Sequence, residues 1–278
     1  MAHASDLSPG DVTMLKNRLI PVLFLRNGYL VRSEDFSIHQ NLGNPVAQVE
    51  RYNTWAVDEL IYIDISQDGG HNTQRSDLGG LKGEMPQTID DLISIVAAKC
   101  FMPLTFGGGI RTLEDVRRRL SMGADKVTIN SQALREPDFI TAVAKEFGSQ
   151  AIVVSMDARC KTDGGHEVFT AWGRVATGKT PREWAREVQE RGAGEILINS
   201  IDRDGKAIGY DLELVRSVVA GTSIPVIACG GAGSYDHFAH AIQEGGASAA
   251  AAGNIFHFKE LAYPLAKRQL KKAGVNFR

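Results

Sequence analysis

Two glycine-ended segments and a few carboxylates hold most of the chemistry this sequence offers. Pro103-Leu104-Thr105-Phe106-Gly107-Gly108-Gly109 and Pro225-Val226-Ile227-Ala228-Cys229-Gly230-Gly231 each carry an apolar run into glycines. A helix-like stretch and a second short run follow each, ending at Asn130-Ser131 and at Gly253-Asn254. Glycine lets backbone amides approach an anion closely, and free amides at the next turn bind phosphate. Gly107, Gly108, Gly109, Asn130 and Ser131 therefore read as one phosphate cup, and Gly230, Gly231, Gly253 and Asn254 as another. A single such turn is equally a tight strand-to-helix connection. The repetition argues for more, because Gly107 and Gly230 are 123 residues apart, as are Gly123 and Gly246. A constant offset marks a duplicated half, and two cups on opposite rims suit a substrate with a phosphate at each end.

Between the cups a reaction needs groups that move protons. Asp157 ends the run Val153-Val154-Ser155-Met156-Asp157. A carboxylate after apolar strand residues is partly desolvated, which lifts its pKa toward a useful value. The competing role is a helix cap or an ion pair. Asp202 and Asp204 follow a later run in Ser200-Ile201-Asp202-Arg203-Asp204-Gly205. One is expected to hold the loop and the other, taken as Asp204, to reach substrate. Arg18, Glu59, Lys126 and Glu195 stand at the opposite ends of their runs. They are either surface ion pairs worth little or a charged ring that closes one end of a barrel and acts as a gate.

Short Val- and Ile-rich runs must position these groups. Strands are predicted near residues 19–25, 59–65, 103–106, 126–130, 151–157, 195–199, 225–229 and 248–252. Helical patterns lie between them at 46–55, 88–99, 113–122, 137–147, 180–191, 211–219 and 235–244, with a last one at 261–273. Buried apolar strands alternating with helices predict a parallel sheet. Eight such units predict an α/β fold closed as a (β/α)8 TIM barrel with a two-fold half-barrel repeat, with chemistry on the loops after the strands. A doubly wound open sheet is the rival, and the duplicated halves favour closure. Residues 17–278 form the single barrel domain and 1–16 an N-terminal extension. The long polar segment 66–85 is either a lid over the mouth or an insertion.

A chain of 278 residues, 43% hydrophobic with a formal net charge of −2, suffices for one large core. The near-neutral charge removes the electrostatic case for nucleic acid or an acidic membrane. No apolar run reaches the roughly 20 residues of a membrane span, and the polar N-terminal residues do not read as a signal peptide. Cys100, Cys160 and Cys229 form no CxxC pair, which fits a reducing cytoplasm. His237 and His240 lack a third ligand nearby, so neither a metal nor a cofactor is expected.

Several segments closely resemble the cyclase subunit of imidazole glycerol phosphate synthase, within the histidine-biosynthesis barrel family. They are Val57-Asp58-Glu59-Leu60, Phe106-Gly107-Gly108-Gly109-Ile110, Gly123-Ala124-Asp125-Lys126-Val127, Phe147-Gly148-Ser149-Gln150-Ala151, Gly194-Glu195-Ile196-Leu197, Ser200-Ile201-Asp202-Arg203-Asp204-Gly205 and Gly230-Gly231-Ala232-Gly233. The resemblance runs from Arg18 to Arg278. It implies a barrel with two phosphate sites and a glutaminase docked on the lower face as a heterodimer. Ammonia from that partner would pass up the barrel. The resemblance also assigns the gate to Arg18, Glu59, Lys126 and Glu195, and docking to Asp125 and Gln150.

The family's cyclase uses two aspartates, ending the first and fifth strands. Asp157 matches the second, but Phe24 occupies the first position in Pro21-Val22-Leu23-Phe24-Leu25-Arg26-Asn27-Gly28. Arg32, Cys229 and Asn199 stand where the family usually has lysine, serine and threonine. A lost general acid or base typically costs about 10²–10⁴ in rate. The apolar first-strand ending resembles a branch associated with converting an acetamido group on a surface-polysaccharide sugar to acetamidino. The leading expectation is therefore a barrel that supplies ammonia for that amidination. It would work with a glutaminase, a sugar amidotransferase and a phosphorylated or nucleotide-sugar substrate. The alternatives are the histidine-pathway cyclase itself, and a non-catalytic barrel that activates a glutaminase and channels its ammonia.

Overall fold

The computed structural model describes residues 16–66 and 88–278. All but Lys16 of the proposed extension, and all but Ser66 of the long polar segment, lie outside the described residues. Eight parallel strands close a barrel: β1 (Arg18–Arg26), β4 (Leu60–Asp64), β5 (Leu104–Gly107), β6 (Lys126–Ile129), β7 (Ile152–Cys160), β10 (Glu195–Ser200), β11 (Val226–Cys229) and β12 (Ala249–Ala252). They neighbour one another in that order. Pairing of β12 with β1, in the register Arg18↔Ala249 to Pro21↔Ala252, completes the circle. The open-sheet rival is excluded by that pairing.

The strands are short because each must cross only one barrel wall. Their residues alternate between two destinations. Leu19, Leu23, Tyr62, Phe106, Val127, Val154 and Ile198 point outward into the layer beneath the helices. Ile20, Val22, Ile61, Val153, Leu197, Ile227, Ala249 and Ala251 point inward and pack on one another. This two-residue period follows from the pleat and explains why the strands read as continuous apolar runs.

The helices sit where the 3.6-residue pattern places them: α1 (Pro45–Thr54), α2 (Ile89–Lys99), α3 (Leu113–Ser121), α5 (Asp138–Phe147), α6 (Pro181–Glu190), α7 (Leu212–Val219), α8 (Tyr235–Gln243) and α9 (Ala262–Lys272). Thr88, Thr112 and Thr180 each cap a helix, with Asp91, Asp115 and Glu183 returning the bond. These capping boxes satisfy amides that would otherwise lack partners. A further short helix, α4 (Ser131–Arg135), begins directly after Asn130. Among the described residues, no helix is long and apolar enough to cross a membrane.

Two hairpins were not visible in the sequence. The first joins β2 (Tyr29–Glu34) to β3 (Ile38–Gly43), with β2 antiparallel to the end of β1. The second joins β8 (His166–Thr170) to β9 (Val175–Ala176), with β8 antiparallel to the end of β7. They follow the first and fifth barrel strands, as a half-barrel repeat requires. The turns within these hairpins carry no Asn-Gly or Asp-Gly signal, whereas the turns that lead into them do: Asn27-Gly28 joins β1 to β2, and Asp163-Gly164 lies between β7 and β8. Asp35 and Phe36 turn the first with φ of 52° and 57°; Ala171 and Trp172 turn the second with 50° and 59°. Left-handed backbone costs a non-glycine residue roughly 1–2 kcal/mol, so tertiary contacts must hold both tips.

Tyr263 on α9 ties the last helix to the first strands. Its hydroxyl donates to Leu19 O at 2.9 Å and accepts from Asp58 N at 2.8 Å. Tyr263→Phe leaves two buried backbone groups unpaired, at about 1–3 kcal/mol. Urea denaturation is expected to show that loss with an unchanged slope.

Candidate active site

The lower end of the barrel is closed by charge. Arg18 Nη1 lies 2.6 Å from Glu59 Oε2, and its Nη2 lies 3.0 Å from Glu195 Oε2. Lys126 Nζ lies 3.0 Å from Glu59 Oε1 and 2.6 Å from Glu195 Oε1. Each cation touches both anions, so the four side chains form a closed ring. Thr105 donates to Glu59 from the layer above. Burial would push the Glu59 carboxyl up, but Arg18 and Lys126 outweigh it and hold the pKa below its ordinary value. The sequence left open whether these residues were surface pairs. Glu59 is 2% exposed and Arg18 7%, with Lys126 and Glu195 partly buried, so the four form a largely buried ring.

Above the ring the lumen is apolar, walled by Ile20, Ile61, Val153, Leu197, Ile227 and Ala249. It opens at the strand ends into a cavity of about 640 Å³. Asp157, on β7, lies in the floor of this cavity and is nearly buried. Asn130 Nδ2 donates to its Oδ2 at 2.7 Å, and the polar side chain of Asn199, opposite it on β10, also favours the carboxylate. Burial pushes the carboxyl up to about 7 against these two amides, aided by the negative charge of Asp204. A carboxyl at that value exchanges a proton readily near neutral pH. Beside it, burial pushes the Cys229 thiol up to about 12, which keeps it protonated and a poor nucleophile.

The first cup meets the cavity. Gly108, Gly109, Asn130 and Ser131 all line it, together with Arg111, Arg135 and Lys179. Gly108 has φ of 101°, and a Cβ there would lie 2.0 Å from Asp64 O. Only glycine fits between the cup and the end of β4. Gly107 lies one step below, against Thr128. Phe24 is half-buried and lines the same cavity, at the end of β1. Among the polar residues there that sequence reasoning missed are Asp64 and His39. Asp64 Oδ1 accepts from Ser66. Arg26 Nη1 lies 2.9 Å from His39 Nδ1; burial and that cation hold the imidazole below its usual pKa. His39 could not be found because it reaches the mouth on an unforeseen hairpin.

The second cup is placed differently. Gly230, Gly231, Gly253 and Asn254 do not line the 640 Å³ cavity. Asn254 Nδ2 instead donates to Ser33 O on β2 at 3.0 Å. Asp204 is engaged with the first hairpin. Its Oδ2 accepts from Ser33 Oγ at 2.8 Å and from Phe36 N at 3.3 Å, and it does not line the cavity. Asp202 accepts from Cys160 N at 2.7 Å. Both aspartates therefore hold hairpins. Asp125 and Gln150 are exposed on the lower face, in the turns before β6 and β7; Asp125 Oδ2 also accepts from Leu104 N at 2.8 Å. His237 Nδ1 accepts from Gly233 N and Ser234 N and caps α8. Among the described residues, no cluster of His, Cys, Asp and Glu is placed to hold a metal.

Two measurements check this electrostatic picture. Arg18→Met strips the ring of one cation and leaves Glu59 buried and underpaired. We expect a loss of about 3–5 kcal/mol in denaturation experiments. Asp157 works in the opposite sense. Its folded pKa of about 7 exceeds the ordinary 3.8, so the folded chain binds a proton that the unfolded chain has released. Stability should fall as pH rises between those values, by up to about 4 kcal/mol. Asp157→Asn should gain on the wild type as pH goes from 4 to 8; parallel stability curves would refute the assignment.

Relatives match this architecture over its whole length. Residues 18–262 match the family described as histidine biosynthesis protein. The chain is 44% identical over 266 residues to the imidazole glycerol phosphate synthase subunit HisF of Caulobacter vibrioides, covering 95% of this chain and 97% of the relative. It is 42% identical over 265 residues to the subunit of that name from Alkaliphilus metalliredigens, covering 95% and 100%. With a closed eight-stranded parallel barrel and this span of identity, the chain belongs to the histidine biosynthesis protein family and, within it, to the HisF family.

Proposed function

We propose that this barrel is the synthase subunit of a glutaminase-coupled pair, and that it joins ammonia to a phosphate-anchored substrate at its mouth. The observation that carries this reading is Asp157. A buried carboxyl near pKa 7 lies where an apolar lumen opens beside a glycine phosphate cup. The lumen excludes ions, so nitrogen travels through it as neutral ammonia. The ring of Arg18, Glu59, Lys126 and Glu195 bars water and charged species from below. The exposed Asp125 and Gln150 mark the face on which the glutaminase docks. The cup of Gly108, Gly109, Asn130 and Ser131 fixes the phosphate. When ammonia attacks, the nitrogen becomes cationic, and the Asp157 carboxylate takes the proton. The same carboxyl can return it to a leaving group.

The identity to HisF subunits supports imidazole glycerol phosphate formation as the reaction. The second reading is sugar amidination, and one observation favours it. Phe24 holds the end of β1 inside the cavity, where a second acid–base group would stand for ring closure. Amidination needs only delivery of ammonia to an activated acceptor.

Ammonium-dependent turnover of the histidine-pathway precursor by the purified chain separates them. The first reading expects imidazole glycerol phosphate, rising with pH through about 7, with Asp157→Asn lowering kcat about 10²–10⁴-fold. If the precursor binds but no product forms, the first reading is lost. The second then requires ammonia-dependent conversion of an acetamido sugar once the sugar amidotransferase and glutaminase are added.

A further inference from the structure

The upper rim carries an indole in an unusual position. Trp172 adopts φ of 59° between Ala171 at 50° and Gly173 at 73°. A bulky residue in left-handed backbone is an outlier, and such strain gathers at ligand sites. Burial does not explain it, because Trp172 is 46% exposed. Among the described residues, no second aromatic ring pairs with the indole. The Arg174 guanidinium lies 5.9 Å from its centroid. The turn itself is fixed in place. Arg174 N donates to Thr170 O at 3.1 Å. A Cβ on Gly173 would lie 3.0 Å from Ile201 Cδ1 and 3.5 Å from Phe36 Cδ2. The two hairpin tips therefore pack together, and the indole faces the mouth cavity with Phe24 and Phe36.

We propose that Trp172 is a stacking platform for a planar heteroaromatic group on the phosphate-bearing ligand. The proposal rests on reading Gly108, Gly109, Asn130 and Ser131 as the phosphate cup. Cup and indole line one cavity of about 640 Å³, a volume suited to a small-molecule ligand. Arg111 and Arg135 on its wall favour an anion. The phosphate fixes one end, and the exposed indole surface accepts a ring at the other. Stacking of a base on an aromatic side chain is worth on the order of tenfold to a hundredfold in affinity.

The test is calorimetric titration of the full chain with adenosine 5′-monophosphate and with ribose 5-phosphate. The wild type should bind the nucleotide at least tenfold more tightly, with quenching of indole emission. Trp172→Ala should bring the nucleotide down to the level of the sugar phosphate and leave the sugar phosphate unchanged. Trp172→Gly, which the turn geometry suits, should do the same without loss of fold, and Trp172→Tyr should keep most of the preference. Equal affinities in the wild type would overturn the platform. So would a loss of both ligands together in the alanine and glycine variants, which would mark a purely structural turn, and so would failure of the nucleotide to bind at all. Nucleotide binding that depends on Trp172, with no sugar-phosphate binding, would keep the platform and remove the cup.

Discussion

Four charges buried at the base of the lumen are tolerable only because they neutralise one another. An isolated ion at that depth would carry a desolvation penalty of several kcal/mol. Each of Arg18 and Lys126 touches both Glu59 and Glu195, so no charge is left single. The ring fixes four of the eight strands at their starting ends, since its members come from β1, β6 and β10 and the residue before β4. It also sets a polar boundary beneath an apolar lumen. Such an arrangement adds little net stability compared with a hydrophobic plug.

The mouth is governed by a different balance. Asp157 is desolvated, and among the described residues no cation pairs with it; the Asn130 amide donates to it, and the Asn199 side chain also favours the ionised form. These neutral amides partly offset burial, and the carboxyl settles near 7 instead of at either extreme. The same residue type, Asp204, is committed to holding Ser33 and Phe36. Two carboxylates of similar burial thus differ in role because one faces a cavity and the other faces backbone amides and a hydroxyl.

The hairpins supply what the barrel alone cannot. Barrel strands end at one level, so their loops must rise to enclose a ligand. The β2–β3 and β8–β9 hairpins extend β1 and β7 beyond the rim and meet where Phe36 packs on Gly173. Phe24, Phe36, His39 and Trp172 reach the cavity from these two extensions and their parent strand. The pseudo-twofold symmetry is therefore carried by the walls of the site as well as by its floor, while the two glycine cups are placed unequally.

Read alone, the sequence implied the barrel, its eight strands, the glycine turn after β5, the charged strand starts and the inward position of Asp157. All of these follow from local rules: a two-residue strand period, a 3.6-residue helix period, and glycines at strand ends. Periodicity also says which side of a strand a residue occupies, and a closed barrel makes that side the lumen. Only the tertiary structure decided what each polar group meets there. Asp204 and Asn254 follow the strands β10 and β12, yet a hairpin more than 150 residues away in sequence takes both. Local signals for the extensions were present, Asn27-Gly28 where β1 turns into β2 and Asp163-Gly164-Gly165 where β7 turns into β8, but the outer turns at Asp35-Phe36 and Ala171-Trp172 use non-glycine residues at positive φ, which long-range packing enforces. Hydrogen-bond partners and desolvation are properties of three-dimensional neighbours, which is why the chemistry of Asp157 had to be read from the folded mouth.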